Sequence, residues 1–152
     1  MHKFNNVIFG QKAFVLRDGK VLIIKRKDVD IFSGMWDVPG GKVESEDTLS
    51  GALAREIKEE TGLDLTKVLL ILSSSKFTGS LGDHPTIFRN IYLCSAEGEV
   101  RLSSEHSEFL WVKPESLINY NFPKDEDFQH ILKHLSALIK SFNAEQQYSN
   151  VF

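Results

Sequence analysis

Two hydrophobic periods alternate along the chain. Residues 12–16 and 21–25 are short, almost continuous apolar runs joined by Asp18-Gly19, a dipeptide suited to a tight hairpin. Further strand-like runs occupy residues 68–72, 86–94 and 109–112. Between these blocks the period lengthens. Leu49, Leu53 and Ile57 give one short helix an apolar flank, and Phe128, Ile131, Leu132, Leu135, Leu138 and Ile139 form one stripe on a second helix over 125–140. Pro114 suits the first turn of a short helix at 114–117. Residues 31–36 and 73–85 are expected to be loops, the latter long, Ser- and Gly-rich and facing substrate. The stretch from Ser141 is polar, so a single domain over 1–141 and a loose tail over 142–152 are expected. Pattern alone supports a mixed α and β fold.

The densest chemistry lies in residues 41–63, GKVESEDTLSGALAREIKEETGL. On a helix Glu56, Glu59 and Glu60 fall on one face about 100° wide, since each residue advances about 100°. Like charges at these spacings repel, so the helix gains nothing from them by itself. A hard divalent cation would remove the penalty, because Mg²⁺ prefers carboxylate oxygens, water and substrate phosphates. A bare Glu-x-x-Glu-Glu is more simply a solvated helix face. The surroundings favour the site: the turn Val38-Pro39-Gly40-Gly41 precedes it, Asp47 or Thr48 is placed to cap the helix, and Gly62 is suited to end it in a left-handed conformation.

This stretch resembles the signature box of the Nudix hydrolases. Gly41, Arg55, Glu56, Ile57, Glu59, Glu60, Gly62 and Leu63 match its spacing, and Asp47 stands where the family has its first glutamate. The flanks Ile24-Lys25-Arg26, residues 34–41, and Glu105-His106-Ser107-Glu108 before Trp111 extend the resemblance over roughly residues 12–118. It implies an α/β/α sandwich with a mixed β-sheet and a loop-helix-loop catalytic box. It also implies hydrolysis of a nucleoside diphosphate linked to another group, by water attacking phosphorus with Mg²⁺ or Mn²⁺. Glu56, Glu59 and Glu60 would be metal ligands, the Gly41 carbonyl a further oxygen, and Arg55 the group that holds a glutamate in position. Glu105 is the choice for an additional ligand or the base, with Glu108 second. Arg26 would touch substrate phosphate, favoured over Lys25 and Lys27 by its bidentate geometry, though an ordinary basic strand end explains it equally. Phe32 and Trp36 are candidate stacking surfaces for a base, with core packing as the simpler role for each.

Composition narrows the setting. With 152 residues, 41% hydrophobic and 26% charged, the chain is in the globular range. No apolar run approaches the ~20 residues of a membrane span, and the first six residues lack a signal-peptide core. The single cysteine, Cys94, excludes an internal disulfide and reads as a small core residue, so a cytoplasmic setting is expected. A net charge of −3 without a basic stripe disfavours a nucleic-acid partner and leaves a small nucleotide substrate open. His130 and His134 have zinc-like spacing but lie opposite the apolar stripe, on what reads as a solvated face. Substrate marks of the ADP-ribose, diadenosine polyphosphate, coenzyme A and NADH subfamilies are missing, which leaves a (d)NTP pyrophosphohydrolase by elimination. Hydrolysis of RNA 5′ ends and a non-catalytic nucleotide-binding regulatory module are the alternatives. The sequence leaves monomer and homodimer open.

Overall fold

The computed structural model describes residues 6–27, 33–79, 82 and 84–149. Strands β1 (Val7–Arg17) and β2 (Lys20–Arg26) form the expected hairpin. Asp18 and Gly19 at its tip have φ 51° and 75°, the left-handed pair that matches the twist of the flanking strands. The two strands share only Leu16↔Val21 and Arg17↔Lys20 before diverging. The rest of β1 runs parallel to β6 (Thr86–Glu97), from Val7↔Thr86 to Val15↔Cys94. On its far side β6 pairs antiparallel with the long edge strand β5 (Asp64–Thr78). Short β4 (Gly40–Lys42) pairs with β1, and β3 (Trp36–Asp37) and β7 (His106–Val112) pair with β2, so these strands make one mixed sheet.

Alternation along the central strands divides the core in two. Ala13, Val15, Leu22, Ile24, Tyr92 and Cys94 meet Leu53, Ile57 and Leu63 around helix α1 (Leu49–Thr61). Phe14, Val21, Ile23, Ile91 and Leu93 meet Phe128, Ile131, Leu132, Leu135 and Ile139 of helix α2 (Glu126–Ser149). Strands covered on both faces read as continuous apolar runs for this reason. The result is the α/β/α sandwich, with a 3₁₀ helix at Pro114–Asn119 leading into α2. Among the described residues no helix is long and apolar enough to cross a membrane.

Several local expectations need correction. The turn at 38–41 is partly a strand, because Gly40 lets the backbone lie against β1: a Cβ there would overlap the Gln11 carbonyl oxygen and stand 2.9 Å from Lys12 Cα. Residues 73–78 are not loop but the end of β5, where the outward residues of an edge strand are polar and hide the apolar signal. Helix α2 runs to Ser149, so the polar segment read as a tail is helical that far. Leu49 (46% exposed) and Leu138 (39%) do not join the core that their spacing suggested. His130 and His134 stack at 4.4 Å between ring centroids on the exposed face of α2.

Candidate active site

Helix α1 is fixed at both ends. The Thr48 hydroxyl accepts from Gly51 N at 3.0 Å, and Gly62, at φ 75°, donates its N–H to the Lys58 carbonyl at 2.9 Å. Two carbonyls left over at the C-terminus are taken by the segment ahead of β7: Arg101 N reaches Thr61 O at 2.7 Å and Ser103 N reaches Glu60 O at 3.1 Å. Burial of Ala52, Leu53, Ile57 and Thr61 sets the helix rotation, and that rotation leaves Glu59 exposed and Glu56 half-buried against β4.

Glu56 is the centre of the carboxylate face. It touches β4 so closely that a Cβ on Gly41 would lie 2.6 Å from its Oε2, so any larger residue there must displace the Glu56 carboxylate. Its pKa is raised, first by burial and then by Glu59, with Glu105 and Asp47 adding to the effect and Arg55 opposing it. Glu60 points inward: its Oε2 accepts from Gly40 N at 3.0 Å, and burial pushes its carboxyl up to about 8, against the pull of that N–H and of Lys12. Among the described residues no three ligating side chains converge tightly enough to hold an ion as they stand. The donor set nevertheless fits a hard divalent cation, since crowded carboxylates at a partly open face are what such an ion neutralises, with water and phosphate completing its shell.

Arg55 braces this face. Its Nη2 donates to Asp47 Oδ2 at 2.7 Å and lies 3.8 Å from Glu56 Oε1. Asp47 also accepts from Glu44 N at 2.9 Å, so the shorter acid at the position of the family's glutamate both holds the loop and orients Arg55. Glu105 reaches the site through a register shift between β2 and β7, where Arg26 pairs with His106 while Lys25 pairs with Glu108. Such an irregularity re-aims side chains at a strand end. Both Glu105 and Glu108 are exposed; Glu105 is near enough to raise the pKa of Glu56, whereas Glu108 is bound to Lys25 at 3.2 Å. Beside Glu105, the buried His106 has its pKa lowered by burial and by Arg26.

A cleft of about 820 Å³ opens alongside the box. Arg26, Lys42 and the bridge from Lys12 to Asp37 (2.6 Å) line the end near Glu60. Phe77, Ile87, Arg89, Asp125 and Phe128 line the remainder, together with Gly79, Gly82 and Pro85. Arg26, the candidate phosphate contact, is among the residues that line this cleft. Trp36 is not: it is 9% exposed, packs edge-on against Tyr120 at 5.6 Å and belongs to the core under α2 rather than to the cleft wall. Phe32 lies outside the described residues. Phe77 and the buried Phe128 (1% exposed) are the aromatics that border the cleft, and the sequence reading selected neither as a stacking surface. Lys12, Asp37, Arg89 and Asp125 were missed as well. The one signal available was a charge, Arg89, inside the apolar run of β6.

The family model of the NUDIX domain matches residues 11–135. A protein named nucleoside triphosphatase NudI from Escherichia coli O139:H28 is 37% identical over 117 residues, covering 70% of this chain and 82% of that relative. The crystal structure of a MutT NUDIX hydrolase from Burkholderia pseudomallei superposes with TM-score 0.68 at 27% identity, covering 85% of this chain and 98% of its own. The solution structure of the E. coli ORF135 protein gives TM-score 0.73 at 26% identity, with 90% and 93% covered. The box, the sandwich that carries it and the family match over most of the sequence together establish that this chain belongs to the Nudix hydrolase family.

Proposed function

We propose that the chain is a Mg²⁺- or Mn²⁺-dependent nucleoside triphosphate pyrophosphohydrolase that converts a (d)NTP and water to the monophosphate and pyrophosphate. The observation that carries this reading is the crowding of Glu56 by Glu59, Glu105 and Asp47 on the box helix, with Lys12 and Asp37 of the neighbouring cationic cleft near enough to act on Glu60. The relative named nucleoside triphosphatase supports the substrate class. Nudix hydrolases as a family generally need divalent cations. Glu56, Glu59 and Glu60, with the Gly41 carbonyl and Glu105, are the groups that would hold the ion. Bound there, the ion would draw charge from the phosphate oxygens and stabilise the departing pyrophosphate.

The chain's own residues supply the rest. Arg26 and Lys42 fix the phosphate tail at the box end of the cleft by charge. Arg55, tied to Asp47, keeps Glu56 from swinging away. Glu105 takes the proton of the attacking water as its oxygen bonds to phosphorus, and the electron pair of the broken P–O bridge leaves with pyrophosphate. Glu105 is favoured over Glu108 because Glu108 is engaged by Lys25 away from Glu56.

The test is pyrophosphate release from canonical and oxidised (d)NTPs, with ADP-ribose, dinucleoside polyphosphates and nucleotide sugars alongside. Pyrophosphate and monophosphate appearing from a (d)NTP, abolished by a chelator and restored by Mg²⁺ or Mn²⁺, is the expected result. A preference for another substrate class, or full metal-dependent activity in Glu59→Gln, overturns the assignment.

A further inference from the structure

The first turn of α1 lacks an apolar anchor. The helix buries Ala52, Leu53, Ile57 and Thr61, whereas Leu49 remains exposed, and the Thr48 cap is a bond within the turn itself. Gln11 of β1 joins this end to the sheet: its Nε2 donates to the Leu49 carbonyl at 2.8 Å. The backbone of Gln11 pairs with Gly41 of β4, so one residue holds both ends of the segment 41–49. Its amide is oriented from behind. The Tyr92 hydroxyl donates to Gln11 Oε1 at 2.7 Å and accepts from Asn90 Nδ2 at 3.0 Å, and Ser74 Oγ donates to Asn90 Oδ1 at 2.7 Å. Every bond in this row points the same way, from the edge strand β5 to α1, and bonds in such a chain polarise one another. Gln11 is 3% exposed and Tyr92 6%. An apolar pair of the same shape would fill that space at nearly equal stability, so packing does not call for these polar groups.

We propose that Gln11, oriented by Tyr92, is a positioning residue for the hydrolytic site: it pins the first turn of α1 to β1 and so sets where the Glu56 carboxylate stands against Gly41. This rests on the metal-dependent reading of the box. Apolar burial is non-directional. It decides which face of α1 meets the sheet and leaves small slides and tilts of the helix cheap. A hydrogen bond has a narrow range of length and angle and resists them. The far end of α1 is fixed by Arg101 N and Ser103 N, which donate to the Thr61 and Glu60 carbonyls, so Gln11 completes a two-point mounting. Glu56 lies between the two points, and a Cβ on Gly41 would stand 2.6 Å from its Oε2. A shift of the helix well under 1 Å therefore changes the carboxylate geometry offered to a cation, and working sites are held to within about 0.5 Å. The same shift would carry Asp47, the anchor of Arg55, out of place.

The experiment compares the wild type, Gln11→Met, Tyr92→Phe and the double variant. Binding of Mn²⁺ alone is read from the electron paramagnetic resonance signal of the free ion, with pyrophosphate release and melting temperature measured alongside. Gln11→Met should bind Mn²⁺ about three- to tenfold more weakly and lose a similar factor in kcat, the scale of one neutral hydrogen bond. Nucleotide KM at saturating metal should hold. Tyr92→Phe removes a single hydroxyl and keeps the test open if Gln11→Met does not fold; its losses should be smaller and in the same direction. In the Gln11→Met background Tyr92→Phe should add nothing, because it acts through Gln11. A lower melting temperature with Mn²⁺ affinity and kcat intact would make the pair a structural strut and overturn the inference. Additive losses in the double variant, or a change confined to KM, would overturn it as well. Weaker Mn²⁺ binding in Gln11→Met, with no pyrophosphate released from any (d)NTP by the wild type, overturns the proposed substrate and keeps the inference. No Mn²⁺ binding by the wild type overturns both.

Discussion

The two ends of the cleft are built on different principles. At the box end, unlike elements are few and like charges are many. Glu56, Glu59 and Glu60 come from two turns of one helix, and only Glu105 and the glycine backbone of β4 arrive from elsewhere. At the far end Arg89 and Asp125 are paired and three elements contribute: Phe77 from β5, Arg89 from β6, Asp125 and Phe128 from the start of α2. The first end is electrostatically unsatisfied until a cation arrives. The second is set before any ligand enters. Crowded acids suit a site that must gather a metal and a polyanion, whereas an arginine already bonded to a carboxylate fixes the positions of β6 and α2 relative to each other.

The largest effect should come from breaking the carboxylate end. Glu56→Gln should lower kcat by at least about 10²- to 10³-fold, on the scale of losing one principal charge-stabilising group. Its melting temperature should hold or rise, because repulsion with Glu59 and Glu105 is relieved; a fall in both would show that Glu56 is mainly structural. Gly41→Ala should come next, with a loss of about tenfold or more in kcat and a folded circular dichroism spectrum, since its methyl group can be housed only by displacing the Glu56 carboxylate. Full activity in that variant would mean the close approach is dispensable.

Asp47→Ala should cost less, several-fold in kcat with little change in KM, by freeing Arg55 from its 2.7 Å anchor. A change confined to KM would assign Asp47 to substrate binding instead. Thr48→Ala should lower stability by about 1 kcal/mol in denaturant titration, and leave kcat nearly as it was. A further effect, confined to alkaline pH, is set by the core on the α1 face of the sheet. Burial pushes the Cys94 thiol up to about 12. Its ordinary pKa is near 9.0, so above that value the unfolded chain binds fewer protons than the folded one. Stability should therefore fall as pH rises from 9 toward 12, by no more than about 1.4 kcal/mol per pH unit from this group. Cys94→Ala should flatten that slope, and at pH 8 the native thiol should ignore a disulfide reagent that labels the unfolded chain at once.

What was legible in the sequence follows from range. Thr48, Gly62 and the acids of α1 lie within one helix and its caps, so spacing alone exposes them. The hairpin at Asp18-Gly19 is local in the same sense. The 73–78 segment was misread because an edge strand keeps its polar face in water and shows no apolar run. Trp36 was selected as a stacking surface because an aromatic near the box looks the same whether it points to solvent or to Tyr120.

The sequence by itself determined the chemistry of α1, since a helix repeats every 3.6 residues and places Glu56, Glu59 and Glu60 wherever the chain folds. Only the tertiary structure decided that Gly41 would press against Glu56, that Glu105 would come within electrostatic reach of Glu56 while Glu108 pairs with Lys25, and that Arg89 would pair with Asp125. Those contacts join residues far apart in the chain. They depend on strand register and helix docking, which long-range burial sets and no local spacing encodes.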